Sequence, residues 1–343
     1  MNPVDLTPAI DAALEQAMNA DRRVVVIGED VPAMRSGLLA RFGPDRVMEA
    51  PISESAFLGA GVGAALGGLR PVVEIMFVDF LSVALHQLAN EAAMVGTFSG
   101  GRWPARLMIR SACGGGYGDG GQHEQALWGQ LAAIPGVAVA VPSTATDAAG
   151  LTLALLEHPG PSVLLEHKLL SRMWREELGG SHRHGVDLDV PVSGDTVPTV
   201  GTIGSIPLGR AVVRRTGSDL AMVSVAVGVH RALEAAAQLA SEGIEATVLD
   251  LRTVSPLDVP AITGAARDTR AVLVVDEDYA WFGLSGEIAA VLAEAGIHRP
   301  FARVATTGII PYARHLERQT LPSVERILGA ARRLLSAEQP LGG

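Results

Sequence analysis

Short apolar, β-branched runs alternate with helix-patterned segments along nearly the whole chain, and this alternation restricts the fold more than any other feature. Residues 24–31 read VVVIGEDV, an apolar run closed by glycine and two acids. The runs PVVEIMFVDF (71–80), ARLMIRSA (105–112), VAVAVPST (137–144) and SVLLEHK (162–168) are of the same kind. Between them lie amphipathic residues 8–20, the segment after Glu54, residues 81–95 and DAAGLTLALLEH at 147–158. Strands separated by helices cannot pair as tight hairpins. They form a parallel sheet with helices on both faces. The same grammar returns after residue 207, in DLAMVSVAV, EATVLDL, AVLVVDED and FARVATT with helices between and a closing helix over LPSVERILGAARRLL.

A chain of 343 residues exceeds one ordinary core. The pattern divides it into an α/β domain at 1–170, a linker at 171–207 and a second α/β domain at 208–343. The linker stretch is mixed, rich in Gly and Pro, and without periodicity.

Glu54 opens a run in which no residue from Ser55 to Leu69 is charged. Gly59, Gly63 and Gly67 recur every fourth position there and form one bare ridge if the segment is helical. Glycine costs a helix about 0.8–1 kcal/mol each against alanine, so the ridge implies close approach of another backbone or a ligand. From spacing alone, Glu54 is either a helix cap, the simpler reading, or a buried functional acid.

The chain carries 27 basic and 37 acidic side chains, a net charge of −10, which excludes a general nucleic-acid binder. No run of 18 strongly apolar residues is free of Gly, Pro or polar interruptions, so no membrane span is expected. The N-terminal sequence has no cleavable signal pattern, which points to the cytoplasm. Cys113, the single cysteine, excludes an intrachain disulfide and a multi-cysteine metal site, and reads as a packing residue. His182 and His184 read as surface residues and His86 as structural.

Two motifs fall short. GAGVGAALGG has no strand directly before it and no acid at a credible ribose position, so it is not a dinucleotide fingerprint. Gly118-Asp119-Gly120 resembles the start of the metal motif of thiamin-diphosphate enzymes, but no asparagine follows Asp119, which is left as a loop residue. His123 follows the glycine-rich loop GGGYGDGG at the end of an expected strand, where open α/β sheets place their chemistry. Alone, it is equally a site residue or a loop hydrogen bonder.

Taken together, VVVIGEDV, the ISE at 52–54, GLRPVVEIMFVDF, NEAAMVGTFSGG, the QH at 122–123, PSTATDAAGL, LDLRTVSPLD, VVDEDY, IPYARHLE and LPSVERI carry a resemblance over nearly the whole length. The chain resembles the β subunit of the thiamin-diphosphate-dependent decarboxylating component of 2-oxo acid dehydrogenase complexes, a group that includes the pyruvate, branched-chain 2-oxo acid and acetoin dehydrogenases. The resemblance implies a transketolase-like pyrimidine-binding domain followed by a transketolase C-terminal-like domain. It implies an α subunit that holds the diphosphate and Mg2+, a heterotetramer with two of each chain, and a dihydrolipoyl acyltransferase as acyl acceptor. It implies that Glu54 contacts the pyrimidine N1′ and favours the imino form that deprotonates the thiazolium carbon, which calls for a proton-sharing carboxyl in a water-poor cleft. Phe80 would stack on the pyrimidine with Ile52 and Met76 beside it, and His123 would position substrate or lipoyl and assist proton transfer. Backbone carbonyls of Leu107, Leu155, Leu156, His158 and Gly160 match positions that hold a potassium ion in some relatives.

The chain also departs from that pattern. Glu124 follows His123 where relatives have a small polar residue, which puts a charge near the substrate. The linker is long, lacks a tyrosine often found there, and the glycine loop is its own variant. Alternatives on the same scaffold are acetoin cleavage, acyloin formation and ketol transfer. Ketol transfer to sugar phosphates is disfavoured by the absence of a basic cluster in 46–123. A non-catalytic docking scaffold is disfavoured by the intact Glu54, Phe80 and His123.

Overall fold

The computed structural model describes residues 2–179, 188–193 and 195–336; His182 and His184 lie outside them. Its strands are β1 (Asn2–Pro3), β2 (Val24–Gly28), β3 (Val47–Glu49), β4 (Arg70–Phe77), β5 (Met108–Cys113), β6 (Ala138–Ala140), β7 (Ser162–His167), β8 (Val192–Ser193), β9 (Val212–Arg215), β10 (Leu220–Ser224), β11 (Ala246–Asp250), β12 (Thr253–Ser255), β13 (Ala271–Tyr279) and β14 (Phe301–Thr306). One sheet has the order β12-β6-β7-β5-β4-β2-β3 and the other β14-β13-β10-β11-β9. Within these two sheets all pairings are parallel except those of the edge strands β12 and β9, and β1 and β8 form a separate antiparallel pair. Every residue of β5, β7, β10 and β11 is buried, as strands covered by helices on both faces must be. The α/β class and the two parallel-dominated sheets are as the sequence implies.

Several elements differ from the sequence expectation. The strand expected over 71–80 ends at Phe77, and Phe80 lies in a one-turn helix, Val78–Leu81. The helix expected over 81–95 is broken into a 3₁₀ turn at Ser82–Ala84, a π turn at Gln87–Ala92 and a helix at Ala93–Phe98. Apolar periodicity cannot distinguish these helical pitches over so few residues. The stretch 171–207 contains a helix, Arg172–Gly179, and strand β8, which pairs with β1. β12 lies beyond residue 207 in sequence yet completes the first sheet against β6. Only long-range pairing makes so short an edge strand, so nothing local announces it.

Glu54 begins the helix Glu54–Leu66, with Ser53 at its cap position. Within this chain the close approach falls one face round from the expected ridge. A Cβ on Gly61 would lie 2.6 Å from Val73 Cγ2, whereas one on Gly63 would meet nothing within 4 Å.

The first sheet encloses a charge network. Arg110 pairs with Glu166 at 2.8 Å and with Asp11 at 2.7 Å, and Arg35 pairs with Glu74 at 2.8 Å. Thr7, at the start of the helix Thr7–Ala20, donates to Glu166. Burial alone would push Glu74 and Glu166 up, but the two guanidinium groups outweigh it and hold both carboxyls below the ordinary range. Removing one partner of a buried pair leaves a charge uncompensated. Glu166→Ala is therefore expected to lower the unfolding free energy by about 3–5 kcal/mol, read as a lower denaturant midpoint with an unchanged slope.

Candidate active site

The parallel strands place their carboxyl ends together, and the chemistry-bearing residues gather there. β2 ends at Gly28, which abuts β4: a Cβ there would lie 2.3 Å from the Glu74 carbonyl oxygen. Glu29 follows, and its carboxyl is raised by burial and by the charges of Asp30, Glu54 and Glu49. Glu54 is thus on the same rim, half-buried in the first turn of its helix, where the helix dipole favours a carboxylate. Ser55 Oγ donates to the Val83 carbonyl at 2.7 Å, tying this helix to the turn after Phe80.

Phe80, His123 and Phe77 form one aromatic group. Phe80 and His123 meet edge to face at 5.7 Å, Phe77 and His123 at 5.8 Å, and Phe77 and Phe80 at 5.4 Å. Trp174 tilts against Phe77 at 5.2 Å, and Met76 packs on the same cluster. Ile52 stands apart at 77% exposure. The structure thus brings Phe80, Met76 and His123 together and puts Glu54 and Ile52 on the neighbouring rim.

The loop 114–121 carries His123. Its glycines leave it few side chains to anchor it, and three carboxylates take its backbone N–H groups. Glu277 accepts from Gly115 at 2.7 Å, Glu317 from Gly116 at 2.7 Å and Gly118 at 3.3 Å, and Glu124 from Tyr117 at 2.7 Å and Gly120 at 3.1 Å. This corrects the expectation for Glu124. It is fully buried beneath the loop rather than presented to a substrate. Asp119 is a loop residue, as expected.

Glu277 also meets His167 Nε2 at 2.9 Å and Arg231 at 2.8 Å. Leu169 N–H donates to His167 Nδ1 at 3.2 Å, so Nε2 carries the proton toward Glu277. Burial would raise Glu277, but His167, Arg231 and the Gly115 N–H bring it down to about 2. Lys168 is buried, its Nζ donating to the His123 carbonyl and lying 4.7 Å from the Phe77 ring centre. Burial lowers its amino group, with Glu124 opposing. Cys113 lies at the end of β5; burial and Glu277 push its thiol well above the ordinary range, which suits packing rather than nucleophilic attack.

Asp79 was not legible as a site residue. Its Oδ1 accepts from Gln125 Nε2 at 2.9 Å, and its buried Oδ2 has no partner among the described residues. Tyr279 of the second sheet donates to Gln125 Oε1 at 3.0 Å. Of the candidate potassium carbonyls, Leu107 and Leu155 accept from Ser162 and Leu156 accepts from Arg70. A cation there would have to use second lone pairs. Among the described residues no cluster of His, Cys, Asp and Glu is arranged to hold a metal ion, and no helix is long and apolar enough to cross a membrane.

Comparison with known proteins agrees with this layout. Residues 2–173 match the transketolase pyrimidine-binding domain and residues 209–327 the transketolase C-terminal domain. The 2-oxoisovalerate dehydrogenase subunit beta of Bacillus subtilis is 35% identical, over 97% of this chain and 99% of its own. The chain belongs to this β-subunit family of 2-oxo acid dehydrogenases. A mitochondrial pyruvate dehydrogenase E1 subunit beta-1 of Arabidopsis thaliana is 35% identical over 95% of the chain, and an acetoin:2,6-dichlorophenolindophenol oxidoreductase subunit beta of Bacillus subtilis 34% over 97%. A split-gene transketolase, solved as an inactive β4 tetramer, superposes with a TM-score of 0.78 at 21% identity, covering 98% of this chain and all of its own. That last likeness concerns the fold.

Within the family fold, the loop's geometry allows a direct check. Gly114 has φ +86°, and a Cβ there would lie 2.0 Å from His167 Nε2. Gly114→Ala is expected to cost at least about 1–3 kcal/mol, seen as a lowered thermal midpoint, and to release the Glu277–His167 contact.

Proposed function

We propose that this chain supplies the pyrimidine-binding half of a thiamin-diphosphate site, completed by an α-type subunit, in an enzyme that oxidatively decarboxylates a 2-oxo acid. The acyl group would pass to lipoyl on a dihydrolipoyl acyltransferase. The observation that supports this most is that the helix begun by Glu54 is tied through Ser55 to Val83, in the turn that follows Phe80, while Phe80 stands against His123. Glu54 has no hydrogen-bond or ion-pair partner among the described residues, so its carboxylate is available to a ligand. These residues fit a flat heterocycle with one ring nitrogen to be hydrogen-bonded.

When bound, thiamin diphosphate supplies a carbon nucleophile and a sink for the electrons of decarboxylation. Glu54 would hold a proton against the pyrimidine N1′. A partner surface closing over Glu54 would exclude water and strengthen that hydrogen bond. Phe80 would present a ring to the pyrimidine, with Met76 and the exposed Ile52 as apolar walls. His123 would face the substrate and lipoyl side and carry a proton there. The open space at Gly63 suits another chain packing on the Glu54 helix. The α subunit would hold Mg2+ and the diphosphate in a heterotetramer of two chains of each kind. A potassium ion at the five carbonyls would be structural and takes no part in the chemistry.

Two measurements test this. With the α-type partner co-expressed, Glu54→Gln should assemble normally and lose about 10²–10⁴-fold in turnover; normal turnover would refute the role of Glu54. In calorimetry, thiamin diphosphate with Mg2+ should bind tightly only to the mixture of the two subunits. Tight binding by this chain alone would overturn the shared site.

A further inference from the structure

We propose that Gln125 is a positioning residue: its amide sets the His123 imidazole against Phe80 and ties both to the second domain through Tyr279. The inference rests on His123 and Phe80 serving in the site proposed above. Gln125 joins three parts of the chain. Its Nε2 donates to Asp79 Oδ1 at 2.9 Å, and its backbone N–H donates to the same oxygen at 3.3 Å. Its Oε1 accepts from the hydroxyl of Tyr279, at the end of β13, at 3.0 Å. Its carbonyl accepts from the N–H of Gly114, where the glycine loop begins, at 2.9 Å. Asp79 stands directly before Phe80 in the one-turn helix Val78–Leu81. His123 lies two residues before Gln125, with its own carbonyl taken by Lys168 Nζ. One side chain thus connects the backbone that carries Phe80, the backbone that carries His123 and the second sheet.

The chemistry of the partners fixes the direction of this hydrogen-bond chain. A carboxylate only accepts, so the Gln125 amide turns its NH2 to Asp79 and its oxygen to Tyr279. Burial, then the charges of Asp79 and Asp278, raise the Tyr279 hydroxyl above its ordinary range, so it keeps the proton that it donates. Asp79 is only 9% exposed, and its Oδ2 has no hydrogen-bond partner among the described residues. Among those residues, its Oδ1 is served by Gln125 alone. A buried carboxylate that loses its donor carries the full desolvation penalty, and the turn that bears it must rearrange. Phe80 moves with that turn. Phe80 and His123 meet edge to face with ring centres 5.7 Å apart, so a shift of the turn alters their contact directly. The Tyr312 hydroxyl, by contrast, donates to Gln122 Oε1 at 3.1 Å on the exposed side of the loop, where water can replace it.

The test reads the His123 ring resonances by NMR on the full chain, and turnover of the enzyme assembled with its α-type partner. The rings of Phe77 and Phe80 shift those resonances, which therefore report how the imidazole stands against them. Gln125→Glu, which sets a carboxylate against Asp79, should move the resonances and lower kcat about 10²-fold, with KM for the 2-oxo acid held within about twofold. Tyr279→Phe should move them in the same direction by less and lower kcat about two- to tenfold. Asp79→Asn combined with Gln125→Glu exchanges donor and acceptor between the two side chains, and should bring back the resonances and most of the turnover. Tyr312→Phe should leave the resonances in place. A tie that is only structural would lower the thermal midpoint and change neither the resonances nor kcat of the folded enzyme. Unmoved resonances in Gln125→Glu, no recovery in the double variant, or a movement in Tyr312→Phe as large as in Tyr279→Phe would each overturn the proposal. Should Gln125→Glu fail to fold, the Tyr279→Phe spectrum decides. Displaced resonances with unaltered turnover would refute the role of His123 in the reaction and leave its positioning by Gln125 standing.

Discussion

Five backbone N–H groups of the loop between β5 and His123 end on three buried carboxylates, and the geometry of the rim depends on that arrangement. A loop that reads GGGYGDGG has little side-chain surface to bury. Its amides must still find acceptors once covered, and carboxylates make the strongest available ones. One of the three comes from the turn itself, one from β13 and one from the helix Arg314–Thr320. The imidazole that stands against Phe80 is therefore held largely from the second half of the chain.

Five of the buried acids in this protein fall into two electrostatic groups. Glu74 and Glu166 face guanidinium groups and Glu277 faces His167 and Arg231; all three are held below the ordinary range. Glu124 and Asp276 face other acids and are pushed up toward neutrality. The first class locks the sheet and the loop root. The second lies where the two halves meet around His123 and Trp128, whose Nε1–H donates to Asp276 at 3.0 Å. Desolvation acts on all of these acids and the sign of the neighbour sets their direction, whereas at Asp250 burial wins even against Arg214 at 2.9 Å and its carboxyl is raised.

The alternation of apolar runs was enough to recognise the α/β class, and the uncharged run after Glu54 was enough to place a helix with an acid at its start. Phe80 is legible as a candidate only through family resemblance, and its helical turn differs from the expected strand because a strand and a following helical turn share the same apolar residues. The position of Glu124 departs from the sequence expectation for a different reason. A glutamate beside a candidate histidine reads as a charge at the site, and nothing local shows that it is fully buried under a loop that Glu317, nearly two hundred residues away, helps to anchor. Asp79 and Lys168 lie just after strands and Glu277 lies within β13, and none of them carries a separate sequence signal.

The sequence by itself determined the alternating strands and helices, the exclusion of broad functional classes, and the family to which the chain belongs. These follow from local periodicity, composition and ordered motifs. Only the tertiary structure decided that β12 crosses to the first sheet, that Gly61 rather than Gly63 meets a neighbour within the chain, and that Glu124 lies under the loop instead of beside a substrate. Each of those depends on which distant groups burial brings within a few ångströms, and the cost of leaving a buried charge or amide unpaired then selects their partners.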